Sequence, residues 1–294
     1  MNELLLNTLL FAGGFALLTG GAEFLVRGAS RLAARLNIPL VVIGLTIVAF
    51  GTSLPELMVS LLANLQGGSA AELAIGNVVG SNIANLALIL GVVAALRPLS
   101  VERQLLFREY PMMLFVSLIF FGMAWDGWIS RAEGIVLFVG LLVFIVYSYR
   151  SGRDGPDEAG GEAAGYVAGM SGEAGLRSVA TLKDLAFVAL GITILMVGAN
   201  WLVDSAQFIA RALGVSELII GLSLVALGTS LPELATSAVA VLRKEGDIAL
   251  GNLIGSNIFN ILAIIGITAT VSPLPAPQHM RFFDFPVMLA VSLL

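Results

Sequence analysis

Apolar residues run through this chain in long unbroken stretches, and charged residues fall almost entirely in the gaps between them. Uncharged runs cover 4–22, 73–96, 112–125, 134–149, 185–203 and 248–271, and two more, 38–65 and 218–242, carry one Glu each. A helix needs about 20 apolar residues to cross a bilayer, so these runs predict membrane-spanning helices. The 112–125 run is short, and its helix is predicted to borrow 105–107 while Arg108 snorkels to the interface. The run at 4–22 lacks a basic leader and a small-residue cleavage pattern, which predicts a membrane helix and not a signal peptide. One long polar segment remains, 150–183, rich in Gly, Ala and Glu, and it predicts a flexible loop. Its acids do not follow a calcium-loop spacing. Composition agrees with a polytopic all-α membrane protein: 58% hydrophobic, 12% charged, mean hydropathy +0.97. Cysteine is absent, which excludes disulfides and thiolate metal sites. The net charge of −5 says little about partners, because the acids collect in the polar loop.

The two sides of that loop resemble each other. "FLVRGASRLAARL" (24–36) aligns with "WLVDSAQFIARAL" (201–213), and "IGLTIVAFGTSLPEL" with "IGLSLVALGTSLPEL". "IGNVVGSNIANLALILG" (75–91) aligns with "LGNLIGSNIFNILAIIG" (250–266), and "FREYPMML" (107–114) with "FFDFPVML" (282–289). The offset is 177 residues through GTSLPE and 175 after it, so an internal duplication spans nearly the whole chain. The organisation read from this is a first transmembrane repeat at 1–150, a cytoplasmic loop at 151–183 and a second repeat at 184–294. Five helices per repeat is an odd number, so the repeats enter the membrane in opposite senses. The second repeat stops where the first continues through two more segments, so the full protein is expected to hold about ten helices, with roughly 30 residues beyond this chain. Counting Lys and Arg over alternate loops puts Arg27, Arg31, Arg35, Arg97, Arg103, Arg108, Arg150, Arg153, Arg177, Lys183, Arg243 and Lys244 on one side. Arg131, Arg211 and Arg281 fall on the other. The positive-inside rule makes the first side cytoplasmic and leaves the N-terminus outside, in a multi-pass cell-membrane protein.

The two Glu residues inside apolar runs end the same motif, GTSLPE, at 51–56 and 228–233. Pro55 and Pro232 cannot donate to the carbonyls of Gly51 and Gly228, and a freed carbonyl in a membrane must meet protein, water or an ion. Each copy thus brings backbone oxygens, the hydroxyls of Thr52 and Ser53 or Thr229 and Ser230, and the carboxylate of Glu56 or Glu233. Intramembrane acids are costly and mark functional sites. In the second motif, Asn77, Ser81 and Asn85 recur every four residues on one helical face, as do Asn252, Ser256 and Asn260. Polar bracing between helices is the other reading of these side chains, most of all for Asn77, Asn82, Asn252 and Asn257. Together the motifs form an oxygen-only donor set, which suits a hard cation such as Ca²⁺ with its six to eight or so oxygens. Soft-metal chemistry does not fit, and no intramembrane His or Lys is present to activate a nucleophile, so neither an enzyme nor a cofactor is expected.

The paired GTSLPE and GSN motifs resemble the two α-repeats of the sodium/calcium exchangers, in the calcium/cation antiporter superfamily. That resemblance implies Glu56 and Glu233 as central ligands shared by Ca²⁺ and Na⁺, with hydroxyls from Thr52, Thr229, Ser81 and Ser256. It further implies carbonyls from Ala49 and Ala226, with Asn85 and Asn260 completing the middle of the site. Some family members carry Asp where Asn260 stands, and the proton-coupled branch carries an acid where Ser81 and Ser256 stand. The implied function is Na⁺/Ca²⁺ exchange by alternating access, with a proton-coupled or potassium-dependent cation antiporter on the same scaffold as the alternative. The expected partners are Ca²⁺, Na⁺ and the lipid bilayer, with no nucleic acid.

Overall fold

The computed structural model describes residues 3–36, 38–153, 174–216 and 226–293. The chain folds as helices: α1 (Glu3–Leu36), α2 (Leu40–Thr52), α3 (Leu54–Gln66), α4 (69–96), α5 (Leu105–Asp126) and α6 (Arg131–Arg153). The second half supplies α7 (Ala174–Ala212), α8 (Ala226–Gly228), α9 (Leu231–Leu242), α10 (Gly246–Val271) and α11 (280–293). Among the described residues six helices are long and apolar enough to cross a membrane, and α2 with α3 makes a seventh if the pair, bent by 45°, is one span. A two-residue strand pair, β1 (Trp128–Ile129) with β2 (Leu274–Pro275), ties the turn after α5 to the turn after α10.

The polar segment is shorter in the structure than its composition predicts. Residues 151–153 continue α6, and α7 already begins at Ala174. Ala, Leu and Arg at 174–177 are strong helix formers, and they extend a helix that the apolar run alone starts near 185. The rest of the loop, 154–173, lies outside the described residues.

Glycines set the relation between the two halves. A Cβ built on Gly14 would lie 2.9 Å from Gly198 O, and one on Gly21 2.9 Å from Gly191 O. Gly28 meets Asp184 and Val188 in the same way. Ascending positions on α1 therefore meet descending positions on α7, so the first helices of the two repeats run antiparallel. Gly14 and Gly191 are equivalent under the 177-residue offset, as are Gly21 and Gly198, and each contacts the other pair's member. Such close approach without a side chain is the usual way membrane helices gain van der Waals contact, since lipid offers them no hydrophobic drive. On α6 and α10, Gly134 and Gly266 allow the same antiparallel approach.

Charges gather at the two ends of the helix array. Arg31 and Arg35 pair with buried Asp184 of α7, and Arg243 pairs with Glu23 of α1. Leu99 of the α4–α5 loop touches Gly246, which brings the Arg97 and Arg103 loop to the same end. At the other end Arg131 donates to Val271 O and Arg281 to Trp125 O. Arg31, Arg35, Arg97, Arg103 and Arg243 belong to one of the two sets counted along the sequence, and Arg131 and Arg281 to the other.

Candidate cation site

Each GTSLPE motif is a helix break. In the first copy α2 ends at Thr52, Ser53 sits at φ −85° and ψ 5°, and α3 starts at Leu54. Pro55 lies in the first turn of α3, where its missing N–H would have had no partner anyway. The second copy repeats this, with Ser230 at φ −87° and ψ 4° and Pro232 in the first turn of α9. The break falls at the serine and not at the proline. It leaves Glu56 and Glu233 in the first turn of a helix, where the helix dipole favours a negative group.

Both carboxylates are buried, each at 1% exposure, and they are close enough to interact electrostatically. Among the described residues no Lys, Arg or His pairs with either. Hydroxyls surround them instead, most of them from the opposite repeat. Ser53 Oγ donates to Glu233 Oε1 at 3.1 Å, and Ser256 Oγ reaches the same oxygen at 3.4 Å. Thr229 and Ser230 stand beside Glu56 as Thr52 and Ser53 stand beside Glu233. Thr229 Oγ1 makes no bond of full hydrogen-bond geometry there. Ser230 Oγ donates to Ser81 Oγ at 3.3 Å, and Thr52 Oγ1 lies 3.4 Å from Ser256 Oγ.

Asn85 and Asn260 sit one turn beyond Ser81 and Ser256, each in a π-helical turn, Ala84–Ile89 and Asn260–Ile265. Widened turns of this kind are found at functional sites. Asn85 Nδ2 donates to Asn257 Oδ1 at 3.0 Å, and Asn260 Nδ2 donates to Asn82 Oδ1 at 2.9 Å. All ten predicted side chains thus come to the repeat interface, nine of them buried and Thr229 half-buried.

Five of these residues keep an acceptor or hydroxyl oxygen that is buried and has no protein partner. They are Glu56 Oε2, Glu233 Oε2, Asn85 Oδ1, Asn260 Oδ1 and Thr229 Oγ1. Unpaired buried oxygens are individually expensive, and here they include two pairs equivalent under the repeat, Glu56 with Glu233 and Asn85 with Asn260.

The backbone behaves differently from the expectation. Ala49 O is taken, accepting Ser53 N at 3.0 Å and Thr52 Oγ1 at 3.3 Å. The broken helix end recruits these nearest donors, and the Thr52 hydroxyl shares its one proton between Ala49 O and Asn252 Oδ1. Ala226 opens the described part of the second copy, and there Ser230 N donates to Leu227 O at 3.2 Å.

The bracing asparagines separate into distinct roles. Asn77 Nδ2 donates to Glu56 O and to Ser60 Oγ, and Asn252 Nδ2 donates to Ser237 Oγ. Asn252 Oδ1 also accepts Thr52 Oγ1 at 3.1 Å. Met113 and Met288, which motif reading missed, take contacts from Asn257 and Asn82. Their equivalence in "FREYPMML" and "FFDFPVML" was the signal that could have found them.

The model of the sodium/calcium exchanger protein family matches residues 6–150 and 183–294. The chain belongs to that family. It is 41% identical over 297 residues to the inner membrane protein YrbG of Escherichia coli (strain K12), covering 99% of this chain and 88% of that one. It is 34% identical over 316 residues to the sodium/calcium exchanger MaX1 of Methanosarcina acetivorans, covering 98% and 89%. A solved structure of the sodium-calcium exchanger NCX_Mj, soaked with 10 mM Na⁺ and zero Ca²⁺, superposes with a TM-score of 0.83 at 32% identity. That match covers 99% of this chain and 89% of the other. As a member of the family, this exchanger is a multi-pass membrane protein that works by cation antiport.

Proposed function

We propose that this chain exchanges Na⁺ for Ca²⁺ by alternating access, carrying Na⁺ inward and Ca²⁺ outward across the cell membrane. The observation that carries the reading is the set of five buried, unpartnered oxygens on Glu56, Glu233, Asn85, Asn260 and Thr229. With the hydroxyls of Thr52, Ser53, Ser81, Ser230 and Ser256 they offer a hard cation an all-oxygen donor set, more than the six to eight or so oxygens one Ca²⁺ takes. Glu56 and Glu233 bring two formal charges, which one Ca²⁺ neutralises. The neutral oxygens are enough to seat more than two Na⁺, so the sodium-loaded carrier would be positive and exchange electrogenic. The backbone oxygens of Ala49 and Ala226 would join when the breaks at Ser53 and Ser230 rearrange.

The Arg-rich end of the molecule is assigned to the cytoplasm, which leaves the N-terminus outside. Serine at 81 and 256, in place of an acid, favours Na⁺ over H⁺ as the coupling ion. The test is Ca²⁺ uptake into proteoliposomes under an imposed Na⁺ gradient, compared with an imposed pH gradient. Uptake driven by Na⁺ alone is expected. Uptake driven by the pH gradient with Na⁺ absent would overturn the coupling, and a requirement for added K⁺ would place the chain with potassium-dependent exchange.

A further inference from the structure

An asparagine that faces a cation has a polarity problem. Its amide offers oxygen at one end and NH₂ at the other, the two are nearly equal in shape, and only one attracts the ion. Something must hold the oxygen forward. At Asn260 the NH₂ donates to Asn82 Oδ1 at 2.9 Å. The NH₂ of Asn82 in turn donates to the main-chain oxygen of Asn257 at 3.3 Å and lies 3.9 Å from Met288 Sδ. At Asn85 the NH₂ donates to Asn257 Oδ1 at 3.0 Å, and the NH₂ of Asn257 donates to Met113 Sδ at 3.5 Å. A main-chain carbonyl and a thioether accept hydrogen bonds and never donate them. Each therefore fixes which end of its asparagine it meets, and that asparagine fixes the next. Reversing any member would set NH₂ against NH₂ or oxygen against oxygen. The relay ends in both halves at a buried oxygen with no protein partner, Asn260 Oδ1 and Asn85 Oδ1.

We propose that Asn82 and Asn257 are positioning residues: each sets the amide polarity of the asparagine across the repeat interface, so that Asn260 and Asn85 present oxygen to the transported cation. The Oδ1 of each holds the NH₂ across the interface, and neither is among the buried oxygens left without a protein partner. The inference rests on the reading that Asn85 and Asn260 face the ion.

The experiment measures the Ca²⁺ dependence of Na⁺-driven uptake by the full chain in proteoliposomes. Asn82→Leu removes the acceptor that holds the Asn260 NH₂. The apparent KM for Ca²⁺ should rise about tenfold while the maximal rate changes far less. The same substitution is then made together with Asn260→Asp. A carboxylate carries oxygen at both ends and has no polarity to set, so Asn82→Leu should now raise KM less than about threefold over Asn260→Asp alone. A structural defect at 82 would impose the same penalty in both backgrounds and would overturn the proposal, as would an unchanged KM for Asn82→Leu. Asn257→Leu, alone and with Asn85→Asp, repeats the test in the other half. Met113→Leu keeps the shape and removes only the sulfur acceptor; it should raise KM by about two- to threefold, and no rise would count against the relay. If Asn260→Ala leaves KM unchanged, the reading of the site itself fails, which is a different result from failure at 82.

Discussion

Replacing Glu233 by Gln tests the centre of the proposed site with the smallest change of shape. Ser53 and Ser256 both point hydroxyls at Glu233 Oε1, and Oε2 has no partner. A glutamine can keep its carbonyl oxygen on the two hydroxyls and turn its NH₂ toward the vacated Oε2 position. No hydroxyl loses its acceptor, so the fold should survive. What is lost is one of the two charges in the site, and a donor replaces an acceptor in front of the ion. Removing one partner of a buried charge pair costs about 3–5 kcal/mol, which for Ca²⁺ corresponds to a loss of roughly two to nearly four decades of affinity. Coulomb energy scales with the product of the charges, so Na⁺ in the same place should lose about half as much, on the order of one to two decades.

The diagnostic quantity is therefore a ratio. Ca²⁺ binding to the purified variant is measured by calorimetry, Na⁺ by its competition with Ca²⁺, and folding by size-exclusion and thermal unfolding. The selectivity for Ca²⁺ over Na⁺ should fall by about one to two decades. Glu56→Gln should mirror the result, since Thr229 and Ser230 stand to Glu56 as Thr52 and Ser53 stand to Glu233. Equal losses for the two ions, or a Ca²⁺ affinity within about threefold of the parent, would refute the claim that these carboxylates carry the charge seen by the ion.

Other outcomes follow from the same geometry. Gly21→Ala would place a methyl 2.5 Å from Leu195 N and 2.9 Å from Gly191 O, so it should lower stability by about 1–3 kcal/mol in thermal unfolding. Gly20→Ala, whose Cβ would meet nothing within 4 Å, is the control, and an equal effect at both positions would disprove the close α1–α7 contact. If more than two Na⁺ are exchanged per Ca²⁺, the rate should respond to membrane potential at about 2.3 kcal/mol per charge per 100 mV, and a flat series at clamped potentials would mean electroneutral exchange. The chain has no native cysteine, so single substitutions label cleanly. Thr229→Cys, at a half-buried position, should react with a small alkylating reagent faster than Thr52→Cys, at a buried one; equal rates would remove the asymmetry between the two breaks.

Much of this arrangement was legible in the sequence because it depends on local period. Seven of the eight apolar runs coincide with spans, since a membrane helix needs only length and the absence of charge, while 218–225 of the eighth lies outside the described residues. Spacing by four put Ser81 with Asn85 and Ser256 with Asn260 on shared faces, and the structure brings both faces to the repeat interface. Features set by distant contacts were not legible. The position of the break at Ser53 depends on helix ends that proline alone does not specify, and Ala49 O is engaged only because Thr52 and Ser53 fold back onto it. The polarity of Asn85 and Asn260 rests on partners 172 and 178 residues away in sequence, beyond the reach of any periodicity. The start of α7 at Ala174 was missed for another reason: Gly-rich composition was read across the whole polar segment, although its last residues favour a helix.

The direction of the polar contacts explains why the site needs both repeats at once. Ser53 serves Glu233, Ser230 meets Ser81, Thr52 meets Asn252, Asn260 leans on Asn82 and Asn85 on Asn257. Every one of these bonds crosses between halves, so an isolated repeat would bury half of each pair without its partner, at a cost of several kcal/mol. The same crossing makes the two halves interchangeable in principle, because an inverted repeat seen from one face of the membrane matches its mate seen from the other. This conformation is not symmetric, however. Thr52 and Asn252 are buried while their equivalents Thr229 and Asn77 are half-buried. If the two repeats traded these environments, the same bonds would re-form with the roles reversed and the more open side would move to the opposite face. Two arrangements built from equivalent contacts differ little in energy, which is the condition an antiporter needs if ions alone are to decide between them.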